Sequence, residues 1–226
     1  MPRPSAGWIT DRACSRPWYL LSRASHPAPF RKAGPCSDPG AVGPIGPTAL
    51  HGMLEGMHFL RRPDPGSVER VPGKESVWDY PRPPRLEPVT ARIRIVLGGV
   101  TVADTAGAYR VLETSHPPNY YLPPDAFTGG TLVRTRRGSY CEWKGEAHYY
   151  DVVAGGRTAP DAAWGYDHPT PGFAPIAGYV AVYAGLMDAC SVGDERVTPQ
   201  PGGFYGGWVT DGITGPFKGG PGSDGW

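Results

Sequence analysis

The stretch Ala91-Arg92-Ile93-Arg94-Ile95-Val96-Leu97-Gly98-Gly99-Val100-Thr101-Val102-Ala103 decides the fold class. Ile93, Ile95 and Leu97 alternate with Arg92, Arg94 and Val96, the period of two of a strand with one face buried and the other wet. Gly98-Gly99 follows, a pair that a two-residue hairpin accepts because both central positions of such a turn take positive φ. Residues 100–103 then pair back, and Asp104 is expected to turn the chain.

Working outward, 108–113 reads as a third strand, and His116-Pro117-Pro118-Asn119-Tyr120-Tyr121-Leu122-Pro123-Pro124 as a loop of aromatic and proline residues. Residues 131–135 form a strand, Arg136-Arg137-Gly138 a hairpin turn, and 139–153 the longest strand, bulged at Gly145. Gly155-Gly156 marks another turn, 162–166 is short and extended, and 179–183 alternates as a closing strand. No amphipathic helix interrupts this run. Short strands punctuated by Gly and Pro predict an all-β fold, a small sheet-on-sheet or barrel domain over residues 91–190.

The flanks differ in composition. The chain has 28 prolines and 33 glycines in 226 residues, a level that signals low complexity where no repeat organises it. The excess lies at the ends. Residues 1–70 have no sustained period, and their prolines deny donors to helix and ladder alike. A disordered Pro/Gly-rich N-terminal extension is expected, with translation starting at Met53 or Met57 as an alternative. Residues 71–90 form an extended Pro-rich lead-in, with order beginning near Glu75-Ser76-Val77-Trp78-Asp79-Tyr80. The Gly-rich C-terminal tail, 191–226, carries isolated Phe204, Tyr205, Trp208, Phe217 and Trp226, which either anchor it or leave it disordered.

A net charge of +1 gives no long-range field to draw nucleic acid or a membrane surface, so neither is an expected partner. Arg61 with Arg62, and Arg134 with Arg136 and Arg137, read as solvated surface and a hairpin tip. Cys14, Cys36, Cys141 and Cys190 contain no C-x-x-C pair, so neither a zinc site nor a disulfide framework is expected, and no cofactor is implied. No run of eighteen apolar residues spans a membrane. Trp18-Tyr19-Leu20-Leu21 is too short for a signal core, and a cytoplasmic location is expected.

Ala103-Asp104, Arg110 with Glu113, Pro117-Pro118-x-Tyr120-Tyr121-x-Pro123, Cys141-x-x-Lys144-Gly145-x-Ala147-x-Tyr149 and Ala163-Trp164-x-Tyr166-x-x-Pro169 together resemble domain-of-unknown-function family 427, over roughly residues 92–188. The flanks 75–85 and 201–226 look like extensions of actinobacterial members. The resemblance implies a β-tent-like fold, related in shape to methionine sulfoxide reductase B and the cereblon ligand-binding domain. Family members are often labelled nucleotidyltransferase-like. That chemistry needs carboxylates converging on two metals, and Gly222-Ser223-Asp224 lies in the tail without a second Asp. No phosphate-cradling G-x-x-x-x-G-K-[ST] loop is present.

Within the matched motifs, Cys141 is a candidate nucleophile, because a thiol near a cation such as Lys144 is activated. A bulge at Lys144-Gly145 would bring both to one face; the alternative is a buried Cys packed as a small hydrophobe. Glu113 stands where a strand enters the Pro-Pro loop. It is a candidate catalytic carboxylate, a cap for loop N–H groups, or a partner for Lys144. Arg110 is a candidate ligand-binding residue, as are Tyr120, Tyr121, Trp143, Tyr149, Trp164 and Tyr166. Aromatics with a few polar groups build small-molecule pockets, and they also simply fill small β cores. His148 shares a face with Glu146, expected to be solvated. His116 and His168 lie beside prolines and would supply a base or ligand if their loops converged. The expected function is a small-molecule-binding β domain. The alternatives are an enzyme using Cys141 with Lys144 and Glu113, or an interaction protein whose tail docks a partner. Neither the ligand nor the oligomeric state is written in the sequence.

Overall fold

The computed structural model describes residues 61–223 and 226. The expectations for residues 1–60, including disorder, the alternative starts at Met53 and Met57, and Cys14 and Cys36, lie outside the described residues.

The hairpin around Gly98-Gly99 forms where the alternation places it. β3 (Ile93–Leu97) buries Ile93, Ile95 and Leu97 and exposes Arg94, and β4 (Val100–Thr105) pairs with it antiparallel. Gly98 and Gly99, at φ +60° and +73°, make the two-residue turn. Asp104 does not turn the chain. It lies within β4 opposite Arg94, with ion pairs to Arg92 and Arg94 that satisfy it in place.

In chain order the remaining strands are β1 (Glu75–Ser76), β2 (Arg85–Val89), β5 (Ala108–Leu112), β6 (Asn119–Tyr121), β7 (Thr131–Cys141), β8 (Gly145–Ala154), β9 (Arg157–Gly165), β10 (Val180–Val182), β11 (Ala189–Val192), β12 (Glu195–Arg196), β13 (Thr198–Pro199), β14 (Trp208–Val209) and β15 (Ile213–Thr214). Short 3-10 turns are the helical elements of the described residues, and none of their helices is long and apolar enough to cross a membrane. The fold is all-β, as expected. Two four-stranded sheets run in the orders β10-β9-β8-β7 and β12-β11-β3-β4, and a three-stranded sheet runs β2-β5-β6. β2 tolerates Pro88 because it is an edge strand, where a missing donor faces outward. Leu122, just after β6, exchanges backbone hydrogen bonds of 2.9 and 2.8 Å with Val180 of β10, tying the three-stranded sheet to the edge of the β7–β10 sheet.

Three further expectations need correction. Residues 119–121 are a strand inside the predicted loop, because Tyr120 and Tyr121 each bury their rings on opposite faces. Arg136-Arg137-Gly138 does not reverse the chain. Arg134 pairs with Tyr150 and Gly138 with His148, so residues 135–137 bulge out of an unbroken β7. The reversal comes at Glu142-Trp143-Lys144, and the single strand expected over 139–153 is divided there between β7 and β8.

The β7–β10 sheet has two buried faces. Val152, Ala154, Val180 and Val182 face the main core, where they meet Ile93, Ile95, Leu97 and Val102 of the β3–β4 sheet. Ala147, Tyr149, Trp164, Tyr166 and Ala181 face the other way, into an aromatic cluster with Tyr121, Phe173 and Ile176. The alternation along β8 and β10 makes this division, since successive side chains leave a strand on opposite sides.

The described tail is anchored. Trp208 is fully buried in the main core, stacks 5.1 Å from Tyr120 and donates its indole N–H to the Val182 carbonyl at 3.1 Å. β15 pairs in parallel with β1, and Ile213 closes a third cluster with Val77, Trp78, Tyr80 and Leu112.

Candidate functional site

The β7–β8 hairpin gathers the first candidates. Cys141 pairs with Gly145 across a three-residue loop, and Gly145 takes φ +94°, where a side chain would be strained. This turn, rather than a bulge in one strand, returns Lys144 toward Cys141. The loop is held by Thr170, whose hydroxyl donates to the Trp143 carbonyl at 2.5 Å and whose N–H donates to the Lys144 carbonyl at 3.2 Å.

The hairpin forms one wall of a cavity of about 550 Å³ on the aromatic face of the β7–β10 sheet. β8 contributes Tyr149, β9 and the residue after it Trp164 and Tyr166, β6 Asn119 and Tyr121, and the segment after β5 Glu113 and His116. Cys141, Trp143 and Lys144 come from the hairpin, so eight of the ten candidate residues line this one cavity.

Arg110 and Tyr120 do not line it. Arg110 bridges Glu75 at 3.0 Å and Glu87 at 2.8 Å, clamping β1 and β2 to β5. Tyr120 is the neighbour of Tyr121 and so faces the opposite side, stacked on Trp208 in the main core. His148 is corrected as well. It is buried rather than solvated, with Nε2 2.8 Å from the Tyr150 hydroxyl and 3.5 Å from Asp167. His168 is exposed, whereas His116 is buried on the cavity wall.

The walls are organised by polar pairs. Trp164 donates its indole N–H to the Tyr121 hydroxyl at 3.2 Å, and Ser139 and Tyr149 share a 2.9 Å hydrogen bond. Arg137 lies over the Tyr149 ring at 4.3 Å. Glu113 pairs with Arg82 at 3.1 Å rather than with Lys144. Burial pushes the Tyr121 and Tyr166 phenols above their ordinary range, so both are neutral hydrogen-bonding groups at neutral pH. Lys144 is 6% exposed, and its ammonium lies 5.4 Å from the Phe173 ring centre and 5.9 Å from that of Tyr166. Burial acts to lower its pKa, but Tyr121, Cys141 and Glu113 outweigh that, and the net direction is upward, leaving a cation.

The described thiols separate cleanly. Cys190 is sealed in the main core, and burial pushes its pKa up to about 12. Cys141 is half-buried and opens on the cavity. Among the described residues, no three His, Cys, Asp or Glu side chains group where they could hold a metal ion.

Sequence reasoning missed the second wall. Phe204, Tyr205, Gly206 and Lys218 of the tail line the cavity, together with Arg82 and Tyr183. A smaller cavity of about 280 Å³ shares Arg137, Tyr183, Phe204, Tyr205 and Gly206. The tail approaches closely because Gly206 has no side chain: a Cβ there would sit 2.1 Å from the Trp164 ring. The usable signal was the spaced aromatics of the tail.

Fold and site together define a small all-β domain with an aromatic cavity walled partly by basic residues. Residues 85–193 match the model of the family described as Domain of unknown function (DUF427). The match spans the segment bearing the hairpin and the cavity's aromatic strands, while Arg82 and the tail wall lie outside it. No curated protein matches the chain.

Proposed function

We propose that this domain binds a small organic molecule in the 550 Å³ cavity. One observation carries the reading: Tyr121, Trp143, Tyr149, Trp164 and Tyr166 converge with Lys144 and Glu113 on a single space of ligand size. Two buried polar atoms on that wall, Trp143 Nε1 and Asn119 Oδ1, have no hydrogen-bond partner among the described residues. Native proteins rarely leave such groups unpaired without a reason, and a ligand would supply the missing partners.

Native mass spectrometry of the full chain tests this, with wild type beside Trp143→Ala. A non-covalent mass carried by wild type and lost in the variant supports a ligand held in this cavity. Wild-type spectra showing only the bare chain, at the gentlest desolvation and after incubation with a cell extract, would count against it.

A second reading has its own observation. Cys141 opens on the cavity whose walls also hold Lys144 and Glu113, an arrangement suited to a thiol nucleophile. A mass increment that survives denaturation in wild type and is absent from Cys141→Ala would put thiol chemistry first.

A further inference from the structure

Lys144 is the one buried lysine or arginine among the described residues, and its carboxylate neighbour on the cavity wall, Glu113, is paired with Arg82 instead. Three other cations line the cavity, and each is engaged. Arg82 pairs with Glu113 at 3.1 Å, Arg137 with Asp161 at 3.7 Å, and the Lys218 ammonium donates to the Trp226 carbonyl oxygen. Lys144 takes part in none of the ion pairs of the described residues. Its surroundings are the rings of Phe173 and Tyr166, the Tyr121 phenol and the Cys141 thiol, with the Glu113 carboxylate acting on it from across the cavity without an ion pair.

A desolvated ammonium without a counter-charge is costly, and folded proteins seldom retain one without a use. Ring faces offset part of the cost but accept no hydrogen bond from its three N–H groups as a carboxylate would. The preceding residue of the turn adds an unmet donor, the buried Trp143 indole N–H. A buried cation without an ion pair and a buried donor without an acceptor, adjacent in sequence and lining the same cavity, are both met by one kind of group: an acceptor that carries negative charge.

We propose that the cavity's ligand bears an oxyanion, a carboxylate or phosphate group, that pairs with the Lys144 ammonium while the aromatic walls enclose its apolar part. This inference rests on the ligand-cavity reading and adds the charge of the ligand to it. Lys144 is the group that selects for that charge.

The test uses the full chain with three probes of similar shape: benzoate, phenyl phosphate and the neutral benzamide. Two readouts are followed at low ionic strength, Tm and the Trp143 indole N–H resonance. In wild type, benzoate or phenyl phosphate raises Tm and shifts the indole resonance, and benzamide does neither; whichever anion acts more strongly identifies the carboxylate or the phosphate. In Lys144→Met both responses disappear, while the ligand-free variant still melts cooperatively. Equal responses to benzamide and benzoate would leave the cavity reading standing and overturn the anion. A Lys144→Met protein that still responds to benzoate would also overturn it. No response to any of the three probes in wild type overturns both readings. The wild-type indole resonance keeps the test decisive even if the variant does not fold.

Discussion

The two faces of the β7–β10 sheet come from the same strands and end in opposite states. On one face, Val152, Val180 and Val182 join Ile93, Ile95, Leu97 and the fully buried Trp208, whose indole N–H is satisfied at 3.1 Å. That face is aliphatic and closed. On the other face, Tyr149, Trp164 and Tyr166 border open space, a buried cation and two unpaired polar atoms. Charged groups show the same division. Arg110, off the cavity, is held by two carboxylates, and Lys144, on it, by none of the described ones. The unpaired polar atoms, from the β7–β8 turn and β6, lie only on the open side, and this supports the proposal that a ligand binds there.

The largest expected effect breaks this comparison at its closed face. Trp208→Ala removes a fully buried indole, its stacking on Tyr120 and its hydrogen bond to Val182. A loss of about 3–5 kcal/mol is expected from cavity formation, read as a fall in the urea midpoint. A loss below about 1 kcal/mol would mean that the tail is no part of the main core.

Arg110→Ala comes next. It frees Glu75 and Glu87 to face each other and the Tyr80 hydroxyl, which bonds Glu75 at 2.8 Å. The network is only partly buried, so a loss of about 1–2 kcal/mol is expected. Any ligand detected by native mass spectrometry should be retained, since Arg110 does not line the cavity. A variant that keeps its stability and loses the ligand would return Arg110 to the site.

Much of the closed face was legible in the sequence, and less of the open one. Alternation at Ile93, Ile95 and Leu97 reports a strand with one buried face, and Gly98-Gly99 reports its turn, because both signals are local. The aromatic motifs named most of the cavity because Tyr149, Trp164 and Tyr166 share a side by simple parity. Tyr120 was misplaced for the same reason: parity separates it from Tyr121, but the segment read as a loop, where parity means nothing. The Arg136-Arg137-Gly138 turn was misread because a bulge and a turn draw on the same residues, and only partner register tells them apart. The tail wall depends on Gly206 packing against Trp164, 42 positions away in the chain, which no local pattern encodes.

The smallest expected effect sharpens the comparison through pH. His116 lies on the cavity wall and His148 packs beside Tyr150 off it. Burial is the main cause that holds both below the ordinary histidine value of 6.5. At His116 Glu113 opposes that effect while Lys218 and Arg82 reinforce it; at His148 Asp167 opposes and Arg134 reinforces. The folded state therefore binds fewer protons than the unfolded chain, and stability rises with pH across the interval between the two values. The contribution is fully present above about pH 6.5 and is lost as pH falls through the folded values. Carboxylates whose pKa is lowered by arginine partners, Glu87 and Asp104, act in a more acidic window, below 4.5 and 3.8. The decline of Tm just below pH 6.5 thus belongs to the histidines. His148→Asn should flatten it in part and leave ligand binding unchanged, whereas His116→Asn should flatten it and change binding too. If both variants alter binding equally, the two sides of the sheet are coupled, and the division between a closed structural face and an open binding face fails.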